Sequence, residues 1–156
     1  MKLRNRLIRD GMQAVLGLSA FLARRPALEP LSRAWSRGLA ALVVRSRRIH
    51  PQATPEQLGR AWQSAFASAR QVPITHTDAD TAYGEIHTPC PLRGSGDVHA
   101  CHRMMEYDRA IAEKAGGQFV VLRSQAQAGV ARCQIAIRRA GAATDDLVPA
   151  HRPARS

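Results

Sequence analysis

Asp108 interrupts an otherwise apolar helix face, and an acid in that position is the first candidate for chemistry. Residues 97–115 carry helical periodicity. At roughly 100° per residue, Val98, Cys101, Met104, Met105, Ile111, Ala112 and Ala115 fall on one arc. Asp108 lies near the middle of that arc, whereas Arg103, Glu106, Arg109, Glu113 and Lys114 fall outside it. A buried carboxylate is costly unless it is paired or protonated. Two readings follow: the acid works beside a reactive group, or it ties down a backbone amide or an arginine such as Arg123. The chain's three thiols are the reactive groups in question. Cys90 stands between two prolines in the loop that feeds this helix. Cys101 lies two turns before Asp108 on the same face, and Cys133 is on the inward face of the last predicted strand. A thiolate is a nucleophile, and helix N-termini and nearby bases favour it. Arg93 and His102 lie close to Cys90 in sequence. Cys101 and Cys133 equally suit small apolar core positions.

The loop Arg93-Gly94-Ser95-Gly96 precedes Asp97, the predicted N-cap of the Asp108 helix. Backbone amides of such a loop can hold an anion, so Arg93, Ser95 and Arg123 are candidate binders of a substrate carboxylate. Cys101 and His102 are secondary site candidates. Cys90, Cys101, His102 and Cys133 contain no C-x₂-C pair, and adjacent helical residues point about 100° apart, which suits one zinc ion poorly. No metal site or cofactor is assigned, and a divalent cation stays open. There is no Walker loop, nucleophile elbow or nucleic-acid-binding signature.

The elements that must position these residues read as helices followed by a ββαββ unit. Residues 2–24 and 29–48 form two helices, separated by Arg25-Pro26. Thr54, Pro55 and Gln57 open a third with a capping-box pattern, running to about Arg70, with Leu58, Trp62 and Phe66 inward. Strands are expected near 72–77 and 82–88, then at 119–124 and 132–138 after the Asp108 helix, which Gly116-Gly117 closes. The fold class is therefore α+β, a small antiparallel sheet packed on helices. Residues 1–70 make a helical region, 71–140 the part carrying the candidate catalytic residues, and 141–156 a disordered tail.

With 156 residues and 45% hydrophobic content, the chain can bury a core without disulfides. Its formal charge of +11 favours anionic partners. Much of the excess lies in residues 1–48 and the tail, and an Arg- and Ala-rich composition also fits coding bias. Nucleic acid is not expected as a partner. Peripheral membrane contact through residues 1–48 and a homo-oligomer stay open. The run from Gly11 to Ala23 follows Lys2, Arg4, Arg6 and Arg9 in the manner of a signal peptide. It lacks a clean cleavage site and is too short to span a bilayer, so an amphipathic helix is the better reading. Three cysteines cannot all pair, which points to free thiols in the cytoplasm.

Taken together, residues 72–138 resemble the L-2-amino-thiazoline-4-carboxylic acid hydrolase family. The resemblance rests on Thr88-Pro89-Cys90-Pro91, on Tyr107-Asp108 within Met105–Ala112, on Phe119–Arg123 leading to Gly129, and on Cys133-Gln134-Ile135. Family members usually carry Cys at the position of Met105 and Asp at that of Gln134. The resemblance implies hydrolysis of a cyclic amidine or thiazoline at a C–N or C–S bond. The expected substrate is a small molecule bearing a carboxylate. Cys133 or Cys90 would be the nucleophile, and Asp108 would orient or deprotonate the nucleophile or water. A ligand-sensing or thiol-based module without turnover is the alternative.

Overall fold

The computed structural model of the chain describes residues 2–152, with side chains from Asp10 onward. Five helices and four strands follow in the order α1 (Lys2–Ala23), α2 (Glu29–Arg47), α3 (Pro55–Gln63), β1 (Ile74–Thr77), β2 (Thr81–Ile86), α4 (Val98–Met104), α5 (Glu106–Lys114), β3 (Gly117–Arg123) and β4 (Cys133–Arg139). The sheet is antiparallel throughout, in the order β1-β2-β4-β3. The fold is α+β. Two hairpins meet where Gly84 pairs with Ile135 and Ile86 with Cys133. Helix α3 packs on β2 and β4, α5 on β3, and the α1–α2 pair on α4 and α5. Ile135 and Ile137 point from β4 into this core with Leu58, Trp62 and Ile111.

Local signals account for most boundaries. The Thr54 hydroxyl accepts the Gln57 amide at 3.3 Å, and Gln57 Oε1 accepts the Ala53 amide at 3.2 Å. Asp97 caps α4 by accepting the Ala100 amide at 2.7 Å. Helix α3 is shorter than its periodicity implied. It stops at Gln63, and Ser68 opens a 3-10 turn over Ala69–Gln71 by accepting the Arg70 amide.

The expected single helix over 97–115 is two helices. Met105, at φ −73° and ψ 7°, ends α4 and starts α5. The bend turns Glu106, expected outward, into the interface with α2, where it is only 9% exposed. Arg37 Nη1 and Arg109 Nε hold its carboxylate at 2.6 and 2.9 Å. These cations keep it below its ordinary range despite burial. Arg109 also donates to the carbonyl of His102, across the bend.

Residues 141–152 are ordered against the sheet, not a disordered tail. Arg138 pairs with Asp146, Leu147 is buried, and the Ala150 amide donates to Val121 O at 2.8 Å along the free edge of β3. Covering an edge strand protects its unpaired backbone groups. Residues 153–156, included in the expected disorder, lie outside the described residues.

Helix α3 sits close to the sheet because Gly59 lacks a side chain, and Gly84 lets the Pro73 backbone lie against β2. A Cβ on Gly84 would stand 2.9 Å from Pro73 O, and one on Gly59 would stand 2.9 Å from the Ala82 Cβ. Because backbone must move to admit that methyl, Gly84→Ala should cost about 1–3 kcal/mol in chemical denaturation.

Candidate functional site

A cavity of about 450 Å³ opens between the N-terminal helix pair and the end of the sheet. Met12, Val15 and Leu16 of α1 and Leu39, Leu42 and Val43 of α2 form one wall. Opposite them stand Phe66, Ile86, Cys90, the bend residues Met104 and Met105, Tyr107, Asp108, Gln125 and Cys133. Asp108 is the only carboxyl among the described lining residues, and no Lys, Arg or His is among them.

Asp108 is 6% exposed, as its place on the helical arc implied. Its partner is Trp62, whose indole N–H donates to Oδ1 at 2.9 Å. Trp62 is itself fully buried and packs edge-on against Phe66, with ring centroids 5.1 Å apart. Burial pushes the Asp108 carboxyl up to about 6, while the Trp62 hydrogen bond and the Arg109 charge pull the other way. An acid titrating there is suited to proton transfer near neutral pH. Burial likewise pushes the Tyr107 phenol above its ordinary range, helped by the Asp108 charge.

The three thiols are free, and they gather at the sheet end of the cavity. The Gln125 amide donates to Cys133 Sγ at 3.3 Å, and the Cys101 thiol interacts with the same sulfur. These contacts hold Cys133 below the ordinary thiol range, against burial and the Asp108 charge. Cys101 is pushed up, first by its bond to Cys133 and then by burial. Cys90 is half-buried on the cavity wall, and burial raises its thiol too. The more accessible thiol and the more activated one are therefore different residues. Cys101 itself does not line the cavity; its link to it is Cys133.

Gln125 organises this corner. Its Oε1 accepts from the Cys90 amide at 3.2 Å and from Arg93 Nη2 at 2.9 Å, and its Nε2 donates to Ile86 O and Thr88 O. It is 1% exposed. An isolated glutamine in a loop carries no spacing signal that would single it out from sequence. Trp62 carries only a core signal, since nothing local ties it to an acid 46 residues later.

The candidate carboxylate binders lie elsewhere. The Arg93 guanidinium is occupied by Gln125 and by Ala131 O. Ser95 is exposed, and its hydroxyl accepts the Asp97 amide. The amides of residues 93–96 donate to the carbonyls of Cys90, Gln125, Leu92 and Ala126, so the loop has no free backbone amides for an anion. Arg123 is exposed at the end of β3 and does not pair with Asp108. His102 faces the C-terminal segment: its ring lies against that of His151, tilted by 30° with centroids 3.7 Å apart, and burial with the Arg109 charge pushes it down to about 4. Among the described residues, no group of three or more His, Cys, Asp or Glu is placed to hold a metal ion. No protein-family model, curated protein or solved structure matches the chain.

Proposed function

We propose that the protein is a cysteine-dependent hydrolase that opens a small cyclic amidine or thiazoline, the chemistry of the family that residues 72–138 resemble. The observation carrying this reading is that one cavity is lined both by a buried acid shifted toward neutrality and by a thiol, Cys133, that accepts the Gln125 amide and is held below the ordinary thiol range. A protonated amidine is a cation, and Asp108 offers the one carboxylate among the described lining residues to receive it. The apolar walls suit the ring, and nothing cationic among those residues would hold a substrate carboxylate. The favoured substrate is therefore a compact, largely apolar amidine.

Cys133 Sγ forms a bond to the amidine carbon, and the C=N electron pair moves onto nitrogen. The lone pair of the exocyclic nitrogen then re-forms a C=N bond as the ring C–N bond breaks; the ring nitrogen leaves as an amine, taking the proton that the exocyclic amino group releases, and the carbon is retained on sulfur as a thioimidate. Water, deprotonated by Asp108, then adds to the carbon and expels the Cys133 thiolate. Gln125 is a positioning residue, through its amide on Cys133 and its side chain on the Cys90 loop. Three free thiols suit a reducing compartment such as the cytoplasm.

Turnover of 2-aminothiazoline and its 4-carboxylate tests the reading. Cys133→Ser should lower kcat by about 1,000-fold or more if the nucleophile is lost, and Cys90→Ser by far less. Equal rates in wild type, Cys133→Ser and Asp108→Asn would overturn it. The nearly all-apolar walls favour a second reading, a binding module for an apolar ligand; saturable binding with no turnover by wild type would select it.

A further inference from the structure

Six of the seven large apolar side chains exposed among the described residues belong to α1 and α2: Met12, Val15, Leu18, Phe21, Leu31 and Leu42. Between Gly11 and Ala23 the only polar side chains are Gln13 and Ser19. Ser19 is turned inward, donating to Val15 O at 2.8 Å and accepting the Trp35 indole N–H at 3.0 Å. Helix α1 therefore buries one apolar face, with Ala20, Leu22 and Ala23, and exposes another, with Ala14, Gly17, Leu18 and Phe21. A surface helix ordinarily turns polar residues outward; one that is apolar all round has a second apolar neighbour. In α2 the exposed stripe Leu31, Ala34, Gly38 and Leu42 repeats at helical spacing and ends on Arg45.

Charge says what that neighbour is. Residues 1–48 hold eleven of the chain's 23 basic residues but only Asp10 and Glu29 of its 12 acidic ones. Arg24 and Arg25 stand at the turn between the helices, and Arg45, Arg47 and Arg48 at the end of α2. All five are exposed, and none forms an ion pair with an acid among the described residues. The Arg25 guanidinium lies over the Phe21 ring, 3.7 Å from its centroid, placing a cation directly on the apolar face. No helix is long and apolar enough, among the described residues, to cross a membrane. An apolar face framed by cations and too short to span fits a helix lying in the headgroup layer, its arginine stems reaching up to anionic groups.

We propose that α1 and α2 dock the protein on anionic lipid surfaces. The exposed face sits at the headgroup–acyl boundary, and the arginines at both ends of the hairpin bind the headgroups. Met12, Val15 and Leu42 are at once exposed and part of the cavity wall, so the cavity opens on the docking face and the lipid surface closes its mouth.

The full chain should co-sediment with phosphatidylcholine vesicles containing phosphatidylglycerol, and added salt should weaken that binding. Leu18→Glu/Phe21→Glu should abolish it, and Arg45→Glu/Arg47→Glu should weaken it by about tenfold or more. All four side chains are exposed, so both variants should keep the wild-type thermal midpoint. Three results would overturn the proposal: no binding to anionic vesicles at low salt, equal binding to pure phosphatidylcholine, or binding unchanged in both variants. A dimer in sedimentation velocity that Phe21→Glu dissociates, with no vesicle binding, would assign the face to a second copy instead.

Discussion

Asp108→Asn should make the folded chain more stable above pH 6, by about 3 kcal/mol, while removing turnover. The Asp108 carboxyl titrates at about 6 in the folded state against an ordinary 3.8. A raised acid binds its proton more tightly when folded, so its contribution to stability is fully present below pH 3.8 and is lost as pH rises through 6. Asparagine keeps an oxygen for the Trp62 indole and cannot ionise. The variant and wild type should therefore match in stability near pH 4 and diverge up to about pH 7, a window that urea denaturation at several pH values reads directly. Parallel stability curves would mean that Asp108 is not held at a cost. A gain in stability coupled to a loss of activity is the expected signature of an acid retained for chemistry.

Trp62→Ala should be among the most damaging single changes, costing about 3–5 kcal/mol, because it empties a fully buried site between α3, α5 and the sheet. Trp62→Phe isolates the hydrogen bond. It keeps an aromatic ring but leaves a buried acid without its donor, and should cost about 1–3 kcal/mol at neutral pH. The penalty should shrink toward pH 4, since a protonated Asp108 needs the donor less. The same variant should move the Asp108 titration above 6, because the indole hydrogen bond is the first of the influences holding it down. A pH-independent loss in Trp62→Phe would assign the effect to packing alone.

Periodicity exposed Asp108 because one helical face records burial residue by residue, and the 2.0-residue alternation of β4 likewise placed Cys133, Ile135 and Ile137 inward. The same periodicity misplaced Glu106, since a single change of ψ at Met105 redirects everything after it and leaves no trace in composition. Gly94 and Gly96 marked a tight loop correctly; both have positive φ. What their amides would bind depended on the 125–126 carbonyls, some 30 residues downstream, so a loop that looked ready for an anion is internally satisfied. The cavity itself was the least legible feature. Amphipathic spacing in α1 and α2 shows that a face is covered, but not that the cover is a void shared with Cys90, Asp108 and Cys133. The ordered C-terminal segment was missed for a related reason. Ala, Pro and Arg carry little propensity of their own, and it is Arg138, reaching from β4 to Asp146 and Ala143, that holds them in place.

The most direct test is the fate of the thiols during reaction with a cyclic amidine. Wild type incubated with 2-aminothiazoline, quenched in acid and mapped by peptide mass spectrometry should carry a transient adduct on Cys133. Asp108→Asn should accumulate it, because the water that releases the adduct lacks its base, and Cys133→Ser should show none. An adduct confined to Cys90, or the absence of both adduct and product in wild type, would contradict the assignment of Cys133 and Asp108 as the catalytic pair.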